Sequence, residues 1–220
     1  MNNKLSFDEP VCLLGGGDVP ENLALALPQG PLICADSGAD YALLAGRKPV
    51  AVIGDMDSIN PTVRARFADV VHPIADQNST DFEKCLSYVE APFIYGFGFL
   101  GKRMDHTIAS LSSLARFADR PIALVGDGDV TICIEDRAQF ATAVGTQIGI
   151  LPWPFASCES TGLKWELNEL DLSLGAQISS SNMAKAKTVD IKVKEGRVLV
   201  TIARPDLTML PAAFGLSFTG

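Results

Sequence analysis

No window of this 220-residue chain approaches the ~18 uninterrupted apolar residues of a membrane span, and its first ten residues, MNNKLSFDEP, hold one Lys and no apolar stretch of signal-peptide length. The expectation is a cytoplasmic protein that does not enter a membrane. Basic residues are in short supply as well: 18 Lys and Arg against 26 Asp and Glu leave a formal net charge of −8. That balance argues against nonspecific binding to nucleic acid or to an anionic membrane surface, where a basic field is needed. It does not exclude an anionic small molecule, because a divalent cation inverts the local charge. Five scattered cysteines, Cys12, Cys34, Cys85, Cys133 and Cys158, form no CxxC pair, so buried, reduced thiols are expected instead of disulfides or a thiolate metal centre. Long linkers, internal repeats and low-complexity tracts are absent too.

What is present is ordinary globular material, 47% hydrophobic and 20% charged, enough for a sizeable core. Short apolar runs, VCLLGGG, PLICAD, PVAVIGD, VVHPI, PFIYGFG and PIALVGD, read as buried strands. SGADYALLAG, NPTVRARFAD, STDFEKCLSYVE and MDHTIASLSSLARFAD read as helices between several of them. This rhythm predicts a parallel α/β layer. From about Asp129 it changes to strand-like runs, DVTICI, QFATAV, TQIGILPW, GLKWELN and GAQISS, and then TVDIKVKEGRVLVTIA, which reads as a hairpin turning at Glu195-Gly196. A second, all-β domain of sandwich or barrel type follows from that change. The expected fold class is α/β, with an N-terminal parallel-sheet, Rossmann-like layer domain over residues 1–136 and a C-terminal β-sandwich over 137–220.

Aspartates recur at the strand ends: Asp36 after PLIC, Asp55 and Asp57 after PVAVIG, Asp76 and Asp81 after VVHPI, and Asp105 after PFIYGFGFLGKR. In a parallel sheet these positions share the carboxyl edge, where open α/β sheets bind ligands. Some have a structural reading. Ser37 with Asp40, and Thr80 with Glu83, match the capping-box spacing, and Asp81 suits the first turn of a helix. Carboxylates gathered at one edge repel unless a cation lies among them, and oxygen donors beside a phosphate-accepting site suit Mg²⁺. The GDMDS pair is therefore a candidate metal platform. The run GGGD at Gly15–Asp18 lacks both the Walker Lys-Ser/Thr and the full GxGxxG spacing, so it reads equally as a phosphate loop and as a plain turn.

In order along the chain, ADSGAD, GDMDS, DQNSTD, GKRMDH, STGLKW and SSSN resemble the motifs of the thiamine pyrophosphokinase family. The resemblance implies transfer of a diphosphoryl group from ATP to the hydroxyl of thiamine, with thiamine diphosphate and AMP as products, Mg²⁺ as cofactor, and a homodimer with shared sites. It implies that Asp55, Asp57 and Asp81 hold Mg²⁺. Asp36, Gln77 and Thr80 fall in the ATP and acceptor region with Arg103 and Asp105, the latter a candidate for orienting the thiamine hydroxyl. Trp165, Ser181 and Asn182 fall in the thiamine-binding set. The chain departs from the family pattern at Lys102, where GGRFDH commonly has a second glycine, and in DSGA for DGGA. Two other classes share parts of this pattern: a diphosphokinase acting on another hydroxymethyl heterocycle such as a pterin, and a non-catalytic thiamine or nucleotide-binding protein.

Overall fold

The runs VCLL, LICA and AVIG are too short for stable helices and apolar on both faces, and each is buried along its whole length as a strand of a parallel sheet. The computed structural model describes residues 4–203 and 205–217, so Met1 to Asn3 of the amino-terminal stretch lie outside the described residues. The chain is mixed α/β and divides into two compact units, residues 1–113 with 124–127, and residues 114–123 with 128–220. No helix among the described residues is long and apolar enough to cross a membrane.

In the first unit the strands are β1 (Leu5–Ser6), β2 (Val11–Leu14), β3 (Leu32–Ala35), β4 (Ala51–Gly54), β5 (Val71–Pro73), β6 (Val89–Glu90) and β7 (Ile94–Phe97); β8 (Ile122–Val125) contributes Leu124 and Val125. The helices are α1 (Leu23–Ala26), α2 (Gly38–Leu44), α3 (Pro61–Arg66), α4 (Asp81–Tyr88) and α5 (Met104–Arg116), of which Leu114 to Arg116 belong to the second unit. Pairing runs β7-β2-β3-β4-β5, all parallel. The order reverses at β2, whose two neighbours are β3 and β7, so the loops after β2 and β7 flank a topological switch point.

Helix starts follow the sequence in part. Thr80 and Glu83 form the reciprocal capping box at α4. The box expected from Ser37 and Asp40 does not form: Ser37 makes no side-chain cap bond, and a Cβ on Gly16 would meet its Oγ at 2.2 Å, which shows how closely the two segments pass. Asp40 instead accepts from the Asn60 N–H at 3.3 Å, tying α2 to the start of α3.

The second unit contains β9 (Asp129–Ile134), β10 (Arg137–Ala141), β11 (Gln147–Thr161), β12 (Leu170–Ser173), β13 (Ser179–Met183) and β14 (Thr188–Ala203), every pairing among them antiparallel. The long strands β11 and β14 pair along most of their length. The hairpin expected at Glu195-Gly196 is absent, because β14 runs through it and these residues face Ser157 and Ala156 of β11. Gly196, with φ of +75°, lies at a register shift, and a Cβ there would come within 2.1 Å of the Phe155 carbonyl oxygen. It is a bulge glycine rather than a turn glycine. GLKWELN is likewise not a strand: it is a loop held by one bridge from Leu163 to Ala184.

All five cysteines are free and buried. Burial pushes the Cys12 thiol up to about 12 and that of Cys158 to about 11, so neither is a nucleophile near neutral pH.

Candidate active site

Asp36 follows β3 with φ of +43°, and its carboxylate, almost wholly buried, accepts the backbone N–H groups of Ser58 at 3.1 Å and Ile59 at 3.0 Å. Those two bonds fix the loop that follows β4. Within that loop Met56 has φ of +66°, and Asp57 donates its backbone N–H to Asp55 Oδ1 at 3.3 Å, so the two aspartates of GDMDS flank a tight left-handed turn. One carboxylate oxygen from each of Asp36, Asp55 and Asp57 lies within 4.8 Å of the others. Gly54 permits this closeness, since a Cβ there would stand 3.0 Å from Asp36 Cβ and 3.3 Å from Asp81 Oδ1.

The electrostatics follow from burial and neighbours. Burial pushes the Asp36 carboxyl up to about 6, helped by the negative charges of Asp81 and Asp57 and opposed by its two backbone donors. Asp55 lies below the ordinary carboxylate range: desolvation opposes its charge, but the Asp57 N–H, the Lys84 ammonium and the Gln77 amide outweigh it. Asp81 belongs to a second grouping. It receives Lys84 Nζ at 2.9 Å, and the same ammonium reaches Asp55 Oδ2 at 3.5 Å. Three oxygen donors at such spacing, two of them on a solvent-accessible loop, fit a hard divalent cation that retains waters, as Mg²⁺ does.

These residues line one cleft of about 670 Å³ within the first unit, and the same walls carry Gln77, Thr80, Arg103, Asp105 and Lys102. Gln77 donates to Asp55 Oδ2 at 3.2 Å. Thr80 has its hydroxyl committed to the α4 cap. Arg103 grips Asp105 through two bonds, 3.1 Å and 2.6 Å, and both side chains are exposed. Its guanidinium holds the Asp105 carboxyl below the usual range, so Asp105 is charged at neutral pH.

The GGGD run is not a free phosphate loop. Gly15, Gly17 and Asp18 spend their N–H groups on the carbonyls of Phe97, Gly98 and Leu100 at 2.8, 2.6 and 2.9 Å. Cβ atoms at Gly15 and Gly17 would each come within 2.6 Å of the Gly98 carbonyl oxygen. The glycines therefore serve the close lacing of the two switch-point loops.

The second unit holds the other expected residues. Trp165 is 55% exposed, with Lys164 Nζ 4.5 Å from its ring centroid. Asn182 is buried and committed to Trp165: its Oδ1 accepts the Trp165 N–H at 3.2 Å and its Nδ2 donates to the Trp165 carbonyl at 2.7 Å. Ser181 is exposed on β13.

Sequence reasoning missed Lys84. Its signal was the spacing of Asp81 and Lys84 in TDFEK, one helical turn apart on α4. It also missed Tyr41, whose hydroxyl receives Lys102 Nζ at 2.9 Å and which carries no motif.

A parallel sheet with an acidic, cation-competent cleft at its carboxyl edge defines an α/β enzyme of the kind that handles phosphate groups. Comparison with known proteins is specific. Residues 29–125 match the family model described as thiamin pyrophosphokinase, catalytic domain, and residues 129–198 match thiamin pyrophosphokinase, vitamin B1 binding domain. Thiamine pyrophosphokinase 1 of Oryza sativa subsp. japonica is 31% identical over 195 residues, covering 72% of this chain and 74% of that protein. The crystal structure of thiamin pyrophosphokinase from Geobacillus thermodenitrificans superposes with a TM-score of 0.78 at 25% identity, over 91% of this chain and 99% of that one. Thiamin pyrophosphokinase from Candida albicans shares the fold, with a TM-score of 0.76 at 16% identity over 92% and 93% of the two chains. The chain belongs to the thiamine pyrophosphokinase family, and its activity is that of the family.

Proposed function

We propose that the chain transfers a diphosphoryl group from ATP to the hydroxyl of thiamine, releasing AMP and thiamine diphosphate in the cytoplasm, as a homodimer. The observation that carries this reading is the convergence of Asp36, Asp55 and Asp57 in the cleft that also holds Arg103 and Asp105, in a chain matching both family models. The N-terminal part acts as a Rossmann-like nucleotide layer and the C-terminal part as a β-sandwich for thiamine.

In this reading Asp55 and Asp57 would hold Mg²⁺ with Asp81, the third carboxylate, on the same cleft wall, and Asp36, whose two oxygens already accept the Ser58 and Ile59 N–H groups, fixes the loop that carries the first two. When bound, Mg²⁺ neutralises charge on the phosphate oxygens around the reacting phosphorus. The remaining work falls to the protein. Arg103 offers an exposed guanidinium to phosphate. Asp105, kept ionised by that guanidinium, accepts a hydrogen bond from the thiamine hydroxyl and orients it toward the β-phosphorus. Gln77 holds Asp55, and Thr80 fixes the start of α4 beneath Asp81. The exposed indole of Trp165 presents a π face to a flat, cationic ligand, Asn182 holds the backbone of that residue in place, and Ser181 lies one residue away on the same strand.

Mg²⁺ dependence tests the assignment. Chelation with EDTA should abolish turnover and added Mg²⁺ should restore it, and turnover that persists after exhaustive chelation would contradict it. Sedimentation at working concentration tests the homodimer.

A further inference from the structure

Three cations line the cleft of the first unit on lysine or arginine side chains, and two are already neutralised: Lys84 by Asp55 and Asp81, Arg103 by Asp105. Lys102 is different. Among the described residues its ammonium has only uncharged acceptors, the Gly16 carbonyl oxygen at 2.7 Å and the Tyr41 hydroxyl at 2.9 Å, and it lies 5.3 Å from the Tyr41 ring centroid. Among the described residues no carboxylate oxygen lies within 4.0 Å of that ammonium. Two of its three N–H donors are used, which leaves one for a ligand.

The backbone is fixed as firmly as the side chain. Lys102 has φ of +53°, a conformation that favours glycine, and its N–H donates to Asp18 Oδ2 at 2.9 Å. The residue thus ties together three elements at the switch point: the loop after β2 through Gly16 and Asp18, its own loop after β7, and α2 through Tyr41. A lysine in free solution loses much rotamer freedom on gripping an anion. Here that freedom is already gone, and the charge is presented to the cleft in a set position.

We infer that Lys102 is a nucleotide-binding residue whose preorganised ammonium, held by Gly16 and Tyr41, takes the polyphosphate chain of the nucleoside triphosphate. This rests on the assignment of the cleft to ATP. The contact is a charge-assisted hydrogen bond to a phosphate oxygen, with no covalent step, and its effect falls on the anionic part of the ligand alone.

The test compares ATP with adenosine, which carries the base and sugar without phosphate. Binding of each to the full chain in Mg²⁺, without thiamine, is measured by calorimetry for the wild type, Lys102→Met, Lys102→Arg and Lys102→Gly. Glycine suits the positive φ and secures a folded, uncharged variant. The expected result is ATP binding weakened about tenfold in the Met and Gly variants, the scale of one lost charge-assisted bond. Adenosine binding should change less than twofold, and the Arg variant should retain most of the ATP affinity. Unchanged ATP binding in Lys102→Gly would overturn the inference. So would equal weakening of ATP and adenosine, which would make Lys102 a loop clasp only. A wild-type chain that binds no ATP at all would overturn the prior assignment of the cleft instead.

Discussion

The ammonium of Lys84 stands 2.9 Å from Asp81 Oδ1 and 3.5 Å from Asp55 Oδ2, with its side chain only 3% exposed, so a buried lysine bridges the carboxylate that opens α4 and the one that follows β4, 26 residues apart in sequence. Burial works against its charge, yet the Asp81 carboxylate, with Asp55 behind it, holds its pKa above the ordinary lysine value. Removing one partner of such a pair leaves charge without compensation. Lys84→Met should therefore lower stability by about 2 kcal/mol, less than a fully buried pair because Asp81 keeps some solvent contact. Thermal unfolding checks this, and an unchanged melting temperature would show the pair to be dispensable.

The metal assignment predicts kinetics. Asp55→Asn, Asp57→Asn and Asp81→Asn should each cut turnover by roughly a hundredfold or more, the scale of losing a main stabiliser of transition-state charge. Thiamine binding, followed by Trp fluorescence, should survive in all three. Full activity in Asp57→Asn would remove that residue from the platform.

Asp36 predicts a pH dependence of stability. Its carboxyl is raised to about 6 in the fold, above the unfolded value near 3.9. Between roughly pH 4 and 6 the folded state therefore binds more protons than the unfolded one, and stability contributed by protonated Asp36 is lost as pH rises through that window. The loss is on the order of 3 kcal/mol. In EDTA, melting temperature against pH should fall less steeply across that window in Asp36→Asn than in the wild type. Parallel slopes would contradict this. Only the slopes bear on the point, because an Asn amide cannot accept both the Ser58 and Ile59 N–H groups through two oxygens.

Trp165 separates recognition from packing. At 55% exposure it contributes little to the core, so Trp165→Leu should leave the melting temperature and ATP affinity nearly unchanged. Thiamine use should weaken by roughly tenfold, the value of stacking a cationic ring on an indole. A large loss of stability without selective impairment of thiamine would reverse that assignment.

Much of the first unit was legible because its strands are short, apolar and followed by aspartates, and a parallel sheet brings strand ends to one edge whatever the loops between them do. The second unit was less legible. Glu195-Gly196 carries a turn signature, yet the pairing of β14 with β11 absorbs that glycine as a bulge, a tertiary outcome that local propensity does not encode. Ser37 and Asp40 have capping-box spacing, but close passage of Gly16 and the Asn60 N–H claim their side chains. The GGGD run shows the same limit, since whether glycine N–H groups meet phosphate or a neighbouring loop is decided by what packs beside them. Lys84 was readable in principle from the i,i+3 spacing to Asp81, but its reach to Asp55 needed the sheet.

The most direct measurement is of the products that the chain forms from ATP and thiamine in Mg²⁺, resolved by phosphorus NMR or ion-exchange chromatography. Attack at the β-phosphorus gives AMP and thiamine diphosphate in equal amounts. ADP with thiamine monophosphate would contradict it.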